Sequence, residues 1–220
     1  VTVRAVYDRF NETGRFDALT CSWKEGQANK PHHYWDSDVA KWIEGVGYLA
    51  QMQSVPEWEA RVDEMVRNIQ TVQREDGYFN SYFQGLHPQK VYTDRRFHEL
   101  YCTGHLIEAA IAYHKATGKD TLLNCMLKNV DYIYRIFVEE KSAAFTTPGH
   151  EEIELALLNL YEYLGNPKHL ELAQFFIDHR GLGEKETKDE YSQSHYRSVN
   201  SGRQSDMRFA VVICIRLWRT

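Results

Sequence analysis

Two hundred and twenty residues, 43% of them apolar and 26% charged, suit one large soluble domain or a compact pair. No run approaches 18 uninterrupted apolar residues, so no membrane span is expected, and 13 Gly with 5 Pro are too few for a fibrous chain. A net charge of −5, with no basic stripe before the last two dozen residues, argues against a nucleic-acid partner.

The pattern is helical almost throughout. Residues 36–53 place Val39, Trp42, Ile43, Val46 and Leu49 at helical spacing, with Asp36 or Ser37 as a natural N-cap. A second helix follows Ser54: Pro56 sits in its first turn, and Val62, Met65, Val66, Ile69 and Val72 face inward. Residues 74–95 break the period. Gly77, Gly85 and Pro88 punctuate them, and Tyr78, Phe79, Tyr82, Phe83 and Tyr92 load them with rings. They predict a long, ordered aromatic loop, of the kind that carries function inside compact domains. Helices resume over 97–117, 121–140, about 150–164 and 167–180, with Gly118 and Gly165 where C-terminal caps belong. No stretch alternates long enough for a sheet, so the expected fold class is all-α. Cys21, Cys102, Cys125 and Cys214 share no CxxC spacing; they read as reduced thiols and make a cytoplasmic setting the expectation.

A weak repeat recurs at an offset of about 45 residues, a helical hairpin each time. Gly104-His105 is followed by Glu108 and a turn at Gly118; Gly149-His150 is followed by Glu154 and a turn at Gly165. Stacked αα units make either an open solenoid or a closed toroid. His105 and His150 hold the same place in both units. In a toroid such positions converge on a central funnel, where imidazole can bond a sugar hydroxyl; each equally suits a packing role. His98, Cys102 and His105, at i, i+4 and i+7, share a helix face and could bind metal, but with no fourth ligand they read better as a packed face. Asp36, Asp38, Glu108, Glu151, Glu152 and Glu154 are possible acid/base carboxylates, yet they fall in first helical turns, where the dipole favours acids. His150-Glu151-Glu152-Ile153-Glu154 is not the HExxH zinc motif, and there is neither a Gly-rich phosphate loop nor a GxSxG elbow. The residues supply a binding platform and no self-evident catalytic machine.

Four segments together carry a resemblance. They are Trp23 to Glu44 (with WKEG, NKPH and WDSDVAKWIE), Gln73 to Phe79 (QREDGYF), Phe97 to Ala109 (FHELYCTGHLIEA) and Pro148 to Leu157 (PGHEEIELAL). Over roughly residues 14–195 they resemble the catalytic domain of the beta-L-arabinofuranosidases, glycoside hydrolase family 127. The resemblance implies a partial (α/α)6 toroid built of helical hairpins, spanning 1–195 as the N-terminal half of a barrel. It also implies retaining hydrolysis of terminal beta-L-arabinofuranosides by a zinc-bound cysteine nucleophile, with an arabinose-containing oligosaccharide or glycoconjugate as partner. By motif match His105 and His150 correspond to sugar-contacting histidines. The family's catalytic Glu, its Glu-x-Cys and its Cys-Cys pair lie downstream of anything present, so no catalytic residue, no metal ligand and no bound zinc are expected in this chain. An incomplete toroid would leave an apolar face open to self-association. Apart from the resemblance, another (α/α)6 sugar enzyme (an epimerase or unsaturated-uronyl hydrolase) or a non-enzymatic helical-repeat module fits the same helical pattern.

The end of the chain changes character. From Arg197 to Thr220 there are five Arg, no Lys and one acid, Asp206, a charge of +4 that leaves −9 on residues 1–196. Codons for Ser205 to Ala210 can be written tcg gac atg cgg ttc gct; read from the third base they give Gly-His-Ala-Val-Arg, a run the resemblance leads one to expect there. The expectation is a frame shift just after His195, with 196–220 an aberrant tail.

Overall fold

A computed structural model describes residues 2–180, so the tail expected over 196–220 lies outside the described residues. Those residues form helices and turns with no strand, as the absence of alternation predicts. The chain opens with α1 (Thr2–Glu12) and α2 (Arg15–Ala18). Then α3 (Trp35–Met52) pairs with α4 (Pro56–Val72), and a short α5 (Ser81–Leu86) interrupts the aromatic segment. Two further hairpins follow, α6 (Glu99–Thr117) with α7 (Thr121–Tyr134), and α8 (Glu152–Leu164) with α9 (Pro167–His179). The predicted helices stand. The pattern reading passed over α1 and α2, although Val3, Val6, Tyr7 and Phe10 lie at i, i+3, i+4 and i+7. That stripe packs α1 onto the core, with Tyr7 5.5 Å from Trp42 and 5.6 Å from Trp58 between ring centroids.

The helices α3, α6 and α8 lie side by side, each backed by the second helix of its hairpin. Central α6 is therefore buried on almost every side, through Leu100, Leu106, Ile107, Ala110, Ile111 and Tyr113. Each of the Leu and Ile side chains contributes about 1.5–3 kcal/mol of burial. Gly104 permits the close approach of α8: a Cβ there would lie 2.8 Å from Glu152 Cγ. Gly118 and Gly165 end α6 and α8 in the left-handed conformation, as predicted for C-terminal caps.

The aromatic segment departs from expectation. It is not one loop, since α5 interrupts it, and it is core: Tyr78, Phe79, Phe83 and Tyr92 are all buried. Two buried carboxyls and the half-buried Gln73 make this possible by bonding backbone groups and two of its hydroxyls. Gln73 donates to the carbonyls of Gly77 and Cys125, each at 2.7 Å. Glu99 accepts from Tyr78 Oη at 2.6 Å and from the Tyr92 amide at 2.8 Å. Asp36 accepts from the Ser81 amide at 2.8 Å and from the Ser81 hydroxyl. Asp36 is thus no N-cap, because α3 starts one residue earlier, at Trp35, and carries Asp36 inward. Burial lifts its pKa to about 6, and that of Glu99 to about 7. Gly77 takes φ 95° where the segment turns against α7, and a Cβ there would sit 2.3 Å from the Lys128 carbonyl oxygen.

Candidate functional site

A cleft of about 510 Å³ opens where the N-terminal end of α3 meets the start of α6 and the loop into α8. Rings from three elements form one side of it. His98 and His150 stand 4.9 Å apart between centroids, and Tyr101 lies 5.6 Å from His150. Lys41, one turn along α3, donates from Nζ to Tyr101 Oη at 2.8 Å. Arg15, Trp35 and Asp38 also line the cleft, the first and last joined by an Arg15 Nε to Asp38 Oδ2 hydrogen bond of 2.9 Å. His32 and Tyr34 complete the lining, and His33 stacks on His32 at 4.2 Å. Burial, followed by the neighbouring imidazoles of His32 and His98, pulls the His33 pKa down to about 4. The cluster is therefore neutral at His33 near pH 7 and offers lone pairs as well as N–H donors.

His98 owes its place to a broken helix. Residues Arg95–Phe97 form a 3₁₀ turn, capped by the Asp94 carboxylate on the Arg96 amide at 2.9 Å, and His98 takes φ 58° before α6 begins. The i, i+4, i+7 face expected for His98, Cys102 and His105 is consequently not formed, since its first member precedes the helix. His98 Nδ1 bonds the Arg96 carbonyl, which can only accept, so Nδ1 is the donor in that contact. The Cys102 thiol is buried and donates to the His33 carbonyl at 3.3 Å.

The two predicted histidines occupy different positions. His150 lines the cleft, two residues ahead of α8. His105 lies in the second turn of α6, beneath Tyr101, whose ring it meets edge-on at 4.5 Å. It does not line the cleft. Its Nδ1 is 3.0 Å from Glu152 Oε1, and its buried Nε2 has no hydrogen-bond partner among the described residues. Burial, then the charge of Lys41, lowers the His105 pKa to about 4, while burial, then the charge of Glu108, raises that of Glu152 to about 7. The pair is therefore an imidazole–carboxyl hydrogen bond, not a His⁺–carboxylate ion pair. Of the other candidate carboxylates, Asp38 alone lines the cleft. Glu108 accepts from Asn159 at 2.7 Å on the same interhelical face as Glu152.

A clamp that the pattern reading missed fixes the His150 loop. Arg180, at the end of α9, is buried; it bonds Glu154 Oε1 at 2.7 Å, the Pro148 carbonyl at 3.3 Å and Glu151 at 3.5 Å. Arg95 reaches the same loop through Thr147 Oγ1 at 3.3 Å. Glu154, proposed as a possible acid or base, is instead the buried anchor of this clamp.

Comparison with known proteins bears on the same segments. Residues 1–205 match the family described as beta-L-arabinofuranosidase, GH127 catalytic domain. The chain belongs to that family. It is 40% identical over 153 residues to the non-reducing end beta-L-arabinofuranosidase of Bifidobacterium longum subsp. longum, taking in 66% of this chain and 23% of that protein. The crystal structure of a GH127 beta-L-arabinofuranosidase from Geobacillus stearothermophilus T6 superposes with a TM-score of 0.75 at 39% identity, over 81% of this chain and 30% of the other. A second solved GH127 beta-arabinofuranosidase gives 0.78 at 30% identity, over 89% and 32%. The chain thus spans about a quarter to a third of the length of these relatives, and its hairpins are the N-terminal part of the GH127 (α/α)6 toroid. A zinc–cysteine centre is not what the described thiols are built for. Burial raises the pKa of Cys21 to about 12 and those of Cys102 and Cys125 above the ordinary thiol value, so all three are held protonated. No three His, Cys, Asp or Glu side chains among the described residues are grouped as metal ligands. No helix among them is long and apolar enough to cross a membrane.

Proposed function

We propose that this chain supplies one wall of the sugar-binding cleft of a beta-L-arabinofuranosidase, acting with retention on an arabinose-containing oligosaccharide or glycoconjugate. In this reading the zinc, its cysteine ligands and the acid/base Glu belong to a longer polypeptide, and the 220 residues alone bind sugar without hydrolysing it. The observation that carries it is the convergence of His98, Tyr101 and His150 on one cleft within a chain of this family. Imidazoles, a tyrosine and Lys41 offer polar groups suited to the hydroxyls of a furanose, and the rings cover its apolar face. His150 and His98 make the direct contacts. His105 contributes from below, where the bond to Glu152 fixes the ring that supports Tyr101. Tyr48, Met52 and Leu164 are the large apolar side chains most exposed among the described residues. They are the places where self-association would begin. We carry forward 1–195 as barrel and 196–220 as out-of-frame tail; the coding DNA past codon 195 tests that division.

The test of the cleft is isothermal titration of the full chain with L-arabinose. His150→Ala should weaken binding about tenfold, the loss of one good hydrogen bond, with an unchanged melting temperature. Equal binding by the variant would refute the assignment of the cleft.

A further inference from the structure

Arg15, Trp35 and Asp38 line the same cleft as His98 and His150 and bring a different chemistry to it. Arg15 is held there from every direction. Its guanidinium lies 5.0 Å from the Phe10 ring centroid and 5.0 Å from that of Trp35. Nε bonds Asp38 at 2.9 Å, and Nη1 bonds Thr13 Oγ1 at 2.7 Å. A guanidinium fixed this way has lost its rotamer freedom before any ligand arrives, so the entropy of ordering it is not charged to binding.

The remaining valences face outward. Among the described residues Nη2 has no hydrogen-bond acceptor, and Asp38 uses only Oδ2, leaving Oδ1 open. The two side chains stay 23% and 32% exposed while lining the cleft. A donor and an acceptor side by side match two neighbouring hydroxyls of a polyol, which present one of each. The ion pair is neutral overall, so it has no net charge with which to favour an anion. Trp35 adds an apolar surface beside the pair. The cleft, at about 510 Å³, falls in the range of pockets that hold drug-sized ligands and has room beyond a single pentose.

We propose that Arg15, Trp35 and Asp38 form a subsite for a second, neutral glycosyl residue, the one linked to the sugar held by His98 and His150. This rests on the reading of the cleft as a sugar site and adds that it grips two residues of a glycan. Arg15 selects through its planar fork, and Asp38 holds that fork in place and accepts the second hydroxyl.

The test compares two probes on the full chain, L-arabinose and a beta-linked L-arabinofuranose disaccharide, by isothermal titration. The wild type should bind the disaccharide about tenfold more tightly than the monosaccharide. Arg15→Met should abolish that advantage while leaving the monosaccharide within about twofold, and Arg15→Lys should restore only part of it. Trp35→Phe, which keeps a ring, serves if Arg15→Met fails to fold, and should cut the advantage without touching the monosaccharide. A wild type that binds both probes equally overturns the subsite while the sugar cleft stands, as do variants that weaken both probes alike. A wild type that binds neither overturns the cleft reading and the subsite with it.

Discussion

Replacing Arg180 with Met should expose how the His150 loop is held. The native pair is buried, with side-chain exposures of 3% for Arg180 and 1% for Glu154, so the variant strands a carboxylate with almost no access to water. Breaking a buried pair in this way costs about 3–5 kcal/mol when the remaining group stays charged. Burial already pushes the Glu154 pKa up, and Arg180 is the main influence opposing it. Without Arg180 the carboxyl therefore takes a proton more readily, and at acid pH the loss falls to that of an unmet hydrogen bond, about 1–3 kcal/mol. The folded pKa lies above the unfolded one, so stability is retained at low pH and lost as pH rises. Urea denaturation followed by circular dichroism at pH 5 and pH 8 measures both limits. Arg180→Met should be clearly more destabilising at pH 8, and adding Glu154→Gln should make its loss relative to wild type the same at both pH values. Equal losses at the two pH values would refute the argument that an uncompensated charge is what the variant creates.

Glu99 sets a second pH response. Its pKa rises from an ordinary 4.5 to about 7, so its contribution to stability is intact below about pH 4.5 and is lost as pH climbs through 7, by about 3 kcal/mol. Denaturation midpoints of Glu99→Gln should fall less steeply than wild type between pH 5 and 8; parallel curves would show that the carboxyl does not titrate there. Gly77→Ala adds a Cβ 2.3 Å from the Lys128 carbonyl oxygen at φ 95°, and should cost about 3 kcal/mol or more in thermal unfolding.

Much of the frame was legible because its signals are local. Helical spacing fixes α3, α4, α6, α7, α8 and α9, and the left-handed glycines end two of them where predicted. The site was less legible because its geometry depends on two local departures from period. The first is His98, drawn out of α6 by the Asp94-capped turn; an Asp two residues before a helix-compatible Arg96 was the available signal. The second is the register of the repeat. Aligning the units on their Gly-His dipeptides pairs His105 with His150, but dipeptides do not determine where a helix stops. The C-caps do, because there the chain reverses and the last carbonyls are satisfied. Counted back from Gly118 and Gly165, the residue opposite His105 is Glu152, and these two side chains meet at 3.0 Å across α6 and α8. Equivalent places in adjacent hairpins thus became neighbours beneath the cleft. His150 and His98, which share no repeat position, are the pair brought together inside it.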